Sequence, residues 1–126
     1  MININPVLIT QLTTAMWEEK LNFYDKLIAT NKKFERKGKT MPYTSANGYM
    51  FSLFNKAGEI GIRLHKDDCK KFMEEHNTTI YKSYGAVMKD YVLIPEEMYG
   101  DLKLLAKYLD KSYEYVMSLP PKKEKK

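Results

Sequence analysis

Cysteine is scarce in this 126-residue chain, which contains a single one, Cys69. A lone cysteine forms no internal disulfide, so disulfide-stapled domains are excluded and a reducing compartment, the cytoplasm, is expected. No apolar run approaches the roughly 18 residues of a membrane span, so no membrane contact is expected. Residues 1–10 lack a basic segment and a small-residue cleavage site, and therefore do not predict a signal peptide.

Sequence motifs of the common chemistries are also missing. The chain has no G-x-G-x-x-G, no P-loop and no H-E-x-x-H. Cys69 could pair with His65 as nucleophile and base, but it shares a predicted helical face with Phe72, which favours a core position. Cys69 and His76 would lie about 10.5 Å apart along a helix, too far to share one zinc ion. No catalytic residue, cofactor or metal site is therefore expected.

Positive charge is concentrated in two segments. The net charge is +5, of which the tail 122–126 contributes +3 and the segment 32–39 contributes +4, leaving −2 elsewhere. Nucleic-acid-binding domains usually present cations along one folded face. The segment 32–39 is instead interpreted as a helix C-terminus, where cations favour the helix dipole. Its cations remain the candidate nucleic-acid contacts: Lys32, Lys33, Arg36, Lys37 and Lys39.

A helix is the first element that the sequence predicts. Its apolar residues follow the spacing of one helical face: Trp17, Leu21, Tyr24 and Ile28. Thr14 is the predicted N-cap, and Gly38 is predicted to end the helix in a left-handed conformation.

Three strands are predicted next, at 40–45, 49–54 and 59–65, with Asn47-Gly48 as a tight turn. Alternation places Tyr49, Phe51 and Leu53 on one face and Met50, Ser52 and Phe54 on the other. Ile60, Ile62 and Leu64 share a face in the third strand. These patterns predict a half-buried antiparallel sheet whose open edge is 40–45. Gly61 is expected to mark a bulge or the close approach of another backbone.

The second half of the chain predicts a helix, two strands and a further helix. The first helix runs from Asp67 or Asp68, as N-cap and first-turn acids, to Asn77. Strands follow at 79–84 and 88–94, and a helical region runs from Pro95 to about Ser118. Gly100-Asp101 is predicted to interrupt this region and to cap the helix that follows. The fold class is therefore α+β, α-β(3)-α-β(2)-α, with an antiparallel sheet packed against helices. The chain divides into an arm at 1–14, one domain at 15–118 and a disordered basic tail at 119–126.

Tyrosine and methionine are abundant, with ten and eight residues respectively. Both are favoured at protein interfaces because they combine an apolar body with a polar or adaptable end. It is an equally good interpretation that these tyrosines fill the rim of a small hydrophobic core. The candidate interface residues are the tyrosines of the last helical region: Tyr99, Tyr108, Tyr113 and Tyr115.

Residues 15–117 resemble the N-terminal domain of the TfoX/Sxy family, bacterial proteins associated with the regulation of natural competence. The resemblance lies in Asn-Gly-Tyr-Met-Phe-Ser-Leu-Phe at 47–54, in Glu-Ile-Gly-Ile-Arg-Leu at 59–64, and in 84–95, which is similar to the family's Gly-x-x-Met-Lys-Gly-Tyr-Val segment. It implies the secretion-chaperone-like α-β(3)-α-β(2)-α fold and supplies no catalytic residues. The family's Met-Phe-Gly-Gly signature is replaced by 39–43, and the family's C-terminal domain is not expected here.

The expected function is a cytoplasmic, non-enzymatic regulatory or adaptor module that self-associates as a homodimer or binds a protein partner. The edge at 40–45 or the tyrosines of the last helix would supply the contact. The alternative is a nucleic-acid-binding accessory protein that uses the cations of 32–39 and the tail. A third hypothesis, a thiol enzyme using Cys69, is the least favoured.

Overall fold

The structure, a computed structural model, describes residues 13–83 and 85–122. In that part of the chain the elements are α1 Thr14–Ile28, β1 Tyr43–Ala46, β2 Tyr49–Phe54, β3 Ile60–Arg63, α2 Lys66–Glu75, β4 Ile80–Ser83, β5 Ala86–Leu93, a 3-10 helix Glu96–Gly100, and α3 Leu102–Met117. The strands form one antiparallel sheet in the order β1-β2-β3-β5-β4. The predicted α+β class and element order are confirmed. Within the described residues, no helix is long and apolar enough to cross a membrane.

The main core lies between one face of the sheet and the three helices. The predicted apolar stripe of β3 and its continuation, Ile60, Ile62 and Leu64, is fully buried there. From the helices, the core takes Tyr24, Leu27, Ile28, Cys69, Phe72, Leu105, Leu109 and Val116. Burial of this apolar surface holds the helices on the sheet, since it is the largest favourable term in folding.

Helix α1 begins and ends earlier than predicted. Its N-cap is Thr13, whose hydroxyl accepts a hydrogen bond from the Met16 amide, so the prediction of Thr14 was wrong by one residue. The helix ends at Ile28 rather than at Gly38. Just after its end, the Thr30 hydroxyl donates a hydrogen bond to the Leu27 carbonyl. The basic segment 32–39 is therefore a loop and not a helix end.

Gly38 still adopts the left-handed conformation, with φ +79, but in the turn that leads into β1. The Lys37 amide donates to the Tyr43 carbonyl at 2.8 Å, and the Tyr43 amide donates to the Lys37 carbonyl at 2.9 Å. This pairing delays the start of β1 to Tyr43, three residues after the predicted start. As predicted, β1 is an edge strand, and Asn47 and Gly48 have the positive φ angles of a tight hairpin turn.

A register shift in β2 overturns the predicted division of its side chains between the two faces. Thr44 pairs with Ser52 and Ser45 pairs with Met50, so Phe51 is the extra residue of a bulge. Phe51, Ser52 and Phe54 consequently face the helices, and Leu53 faces the other side. The buried Ser52 hydroxyl is hydrogen-bonded to the hydroxyls of Tyr24 and Thr44, which satisfies these polar groups inside the core.

The opposite sheet face is also apolar, so the prediction of a half-buried sheet was wrong. Leu53, Tyr81 and Tyr91 are at most 6% exposed on it, and no helix of the described residues contributes to this cluster. The Tyr81 hydroxyl donates to the carbonyls of Leu53 and Glu59, and the Tyr91 hydroxyl donates to the Met50 carbonyl. Among the described residues, the two tyrosine rings and Leu53 form the buried part of this face.

The Tyr81 ring of β4 lies against Gly61 of β3, although β5 lies between the two strands in the ladder. Gly61 makes this approach possible, because a β-carbon there would lie 2.4 Å from the Tyr81 ring. The predicted close approach is therefore made by a side chain and not by another backbone. The pairing of β5 with β4 is irregular between Ile80 and Lys82, and Asp90 of β5 adopts a φ of +67. Such an irregularity bends a strand and increases its twist.

The ends of α2 and α3 differ in how well they were predicted. His65 is the N-cap of α2, its Nδ1 accepting from the Asp67 amide, so only the first-turn placement of Asp67 and Asp68 was right. Asp101 caps α3 as predicted, accepting from the Leu104 amide.

The start of the predicted tail is tied to the β1–β2 turn. The Lys122 amide donates to the Asn47 carbonyl, and the Tyr49 hydroxyl donates to the Pro120 carbonyl. Residues 119–122 are therefore not a free tail, and 123–126 lie outside the described residues, as do residues 1–12 of the predicted arm.

We expect Gly61→Ala to destabilise the protein by about 3 kcal/mol, because the added methyl overlaps the Tyr81 ring. Urea denaturation measures this free energy of unfolding. Gly100→Ala is the matched control, since no atom lies within 4 Å of the β-carbon position there. In a Tyr81→Ala background the cost of Gly61→Ala should fall; additive costs would contradict the explanation.

We expect Asp90→Gly to be more stable than Asp90→Ala by about 1 kcal/mol, because a left-handed conformation is costly for alanine and not for glycine. At Lys107, an exposed position inside α3, the order should reverse by about the same amount. Thermal unfolding of the four variants measures both differences. Equal stability of the two Asp90 variants would contradict the assigned conformation.

Candidate interaction surface

The Cys69 thiol and the imidazoles of His65 and His76 each contact different groups. The Cys69 thiol is buried and donates to the Leu64 carbonyl at 3.4 Å and to the Asp90 carbonyl at 3.1 Å. Burial raises the pKa of Cys69 above its usual value, which lowers the thiolate fraction at neutral pH. The His65 ring packs edge-on against Tyr115, and His76 Nε2 lies 3.1 Å from the Tyr108 hydroxyl. No group of three or more metal-ligating side chains occurs in residues 13–83 and 85–122.

The candidate nucleic-acid contacts are largely engaged with their own chain. Lys33 Nζ lies 3.2 Å from both Asp110 and Glu114, and these bonds raise the pKa of Lys33. Hydrogen bonding by Asp25 likewise raises the pKa of Arg36, whose Nε lies 2.9 Å from that carboxylate.

The other three cations of the segment differ in position. Lys37 Nζ donates to the Ser45 hydroxyl at 3.2 Å, whereas Lys32 and Lys39 are exposed. Two of the five cations are thus paired with carboxylates of the same chain, and nucleic-acid binding stays a prediction.

The candidate interface tyrosines are each half-buried against their own chain. Tyr99 stacks on Phe23; Tyr108 contacts Phe72 and His76; Tyr113 contacts Phe34 and Phe51; Tyr115 contacts His65 and Arg63. Tyr99 belongs to the 3-10 helix and the other three belong to α3. Each tyrosine ring thus already packs one face or one edge against its own chain.

The predicted open edge is less open than expected. At β1, the backbone groups of Tyr43 already pair with Lys37 on the outer side. At the other edge, β4 is four residues long and has the exposed Lys82 in it. Short edge strands with lysine resist pairing with a further strand. Neither edge therefore offers a long template for strand addition.

Tyr99 lies in a groove that combines an apolar floor with charged rims. The groove is a depression of about 340 Å³ lined by Met16, Glu19, Lys20, Phe23 and Tyr99, here called the Tyr99 groove. The Phe23 and Tyr99 rings stack with centroids 4.6 Å apart, and Met16 is 45% exposed. Lys20 forms an ion pair with Glu96 and lies over the Tyr99 ring. Burial also raises the pKa of Tyr99.

Sequence reasoning missed the α1 side of the Tyr99 groove. Met16, Lys20 and Phe23 follow the i, i+4, i+7 spacing of one helical face, next to the face that was assigned to the core. The spacing was visible in the sequence. What only the structure shows is that the 3-10 helix brings Tyr99 onto this second face.

No protein-family model matches the chain, and no curated protein matches it. The resemblance to the TfoX/Sxy family thus stays a prediction.

We expect native Cys69 to react with iodoacetamide at neutral pH at least about ten-fold more slowly than in urea, because burial disfavours the thiolate and both carbonyl contacts cover the sulfur. Mass spectrometry measures the labelled fraction over time. Equal rates in buffer and in urea would contradict the buried position and reopen the thiol hypothesis.

Proposed function

We propose that this protein is a small cytoplasmic, non-enzymatic interaction module with a regulatory or adaptor role, which self-associates as a homodimer. The Tyr99 groove is the observation that carries the proposal. Its floor is aromatic and thioether, and its rims are charged, which is the layout of protein–protein contacts.

The rim charges suit a second copy of the same chain. Glu19 and Lys20 are adjacent on α1 and carry opposite charges. In a two-fold symmetric contact the same patch meets itself, so a rim with both signs can be complementary to its own copy. A groove rimmed by one sign of charge would repel a second copy.

A non-enzymatic role is supported by the way in which the reactive groups are used. The Cys69 thiol donates to two backbone carbonyls, and burial raises its pKa. His65 caps α2, and His76 packs on Phe72 beside Tyr108. These contacts give each of the three groups a partner within the fold.

The proposed relation to the TfoX/Sxy N-terminal domain is supported by the backbone at Asp90. In the segment 84–95 this residue stands where the family motif has glycine, and its φ of +67 lies in the region that favours glycine. The α-β(3)-α-β(2)-α order of the described elements agrees with the fold that the resemblance implies.

We expect Met16→Lys to weaken the homodimer at least ten-fold, about 1.4 kcal/mol, because it would bury an unpaired charge in the contact. Sedimentation equilibrium measures the dissociation constant. Met117→Lys is the matched control, since Met117 is 46% exposed but lies on the last turn of α3, outside the groove.

Two outcomes would contradict the proposal. One is a wild-type chain that stays monomeric at the highest concentration reached. The other is an equal loss of association in the Met16 and Met117 variants, which would show a general effect of added charge.

A further inference from the structure

The two arginines of the chain have opposite surroundings. Arg36 is paired with the Asp25 carboxylate through its Nε and one further nitrogen. Arg63, at the end of β3, forms no ion pair with any described residue, and its buried Nε has no hydrogen-bond partner. Arg63 as a whole is half-buried, and withdrawing part of a guanidinium from water without an acid or an anion beside it costs free energy.

Tyrosine rings flank the Arg63 guanidinium. Its Cζ lies 5.4 Å from the ring centroid of Tyr49 on β2 and 5.6 Å from that of Tyr115 on α3. The ring faces attract the guanidinium cation, but they do not accept hydrogen bonds from the N–H groups that point outward in the guanidinium plane. The in-plane donors are the ones that bind carboxylate or phosphate oxygens.

Further cationic or donor groups surround the same two rings. Lys122 Nζ lies 5.8 Å from the Tyr49 ring centroid, and the His65 ring lies 5.6 Å from that of Tyr115. The His65 Nδ1 accepts from the Asp67 amide, which leaves Nε2 as the free donor of a neutral ring. The Asp67 carboxylate lies 3.9 Å from the His65 Nδ1, and no ion pair joins Asp67 to Arg63.

We propose that Arg63, His65 and Lys122 form a binding site for the phosphate group of a small phosphomonoester. A phosphate dianion matches this set better than a carboxylate, since it carries more charge and has oxygens for three separate donors. Tyr49 and Tyr115 position the guanidinium, and the bound oxyanion supplies the counter-charge that the described residues do not. The site is separate from the Tyr99 groove and does not depend on self-association.

Arginine side-chain NMR tests the proposal directly, because the chain has one Nε–H signal for each of its two arginines. Inorganic phosphate added to the full chain should shift the Arg63 signal with saturation and leave the Arg36 signal unchanged. Arg63→Gln should weaken phosphate binding, followed by calorimetry, at least ten-fold. Arg36→Gln is the matched control and should bind phosphate like the wild type.

Other outcomes would overturn the proposal. A shift of the Arg63 signal that never saturates would indicate non-specific screening. Equal saturation by acetate and by phosphate would indicate a carboxylate site. Glu124 lies two positions after Lys122 in the sequence. If the Glu124→Gln variant binds phosphate and the wild type does not, the natural occupant of the site is the Glu124 carboxylate and not a phosphomonoester.

Discussion

The contact between the Tyr81 ring and Gly61 is the constraint on which the shape of the sheet depends. A side chain at position 61 would hold β4 away, whereas glycine lets the ring lie on β3. The hydroxyl of that ring then reaches the carbonyls of Leu53 and Glu59. The edge strand β4 is thereby joined to the β2–β3 hairpin, and within residues 13–83 and 85–122 no helix packs on this sheet face. All three helices can therefore pack on the other face, where the main core forms.

The same use of aromatic rings recurs at the surface. Tyr99 and Phe23 form the floor of the Tyr99 groove, and Tyr49 and Tyr115 flank Arg63. Tyrosine suits each place because its ring buries a large apolar area, and the Tyr49 hydroxyl also donates to the Pro120 carbonyl. The abundance of tyrosine thus serves packing first, and the two proposed contacts use what this packing leaves exposed.

Some sequence signals were sufficient to predict the structure of the described residues, 13–83 and 85–122, and others were not. Helical spacing predicted the buried face of α1, and alternation predicted the buried stripe of β3. The faces of β2 were predicted wrongly because a bulge at Phe51 changes the alternation, and a bulge depends on the partner strand. The C-terminus of α1 was misplaced because Gly38 satisfies a positive φ equally well in a loop. The sequence placed Arg63 only within the predicted strand 59–65, because the lack of an acid paired with it depends on which side chains surround it in the fold.

Local patterns in the sequence alone determined the α+β class, the order of the elements, the Asn47-Gly48 turn and the cap at Asp101. Each of these depends on residues within a few positions of one another, where spacing and conformational preference act directly. Only the tertiary structure decided the contact of Tyr81 with Gly61, the partners of the 32–39 cations and the surroundings of Tyr99 and Arg63. Those features arise between residues far apart in the chain, and their distances are set by how the whole core packs.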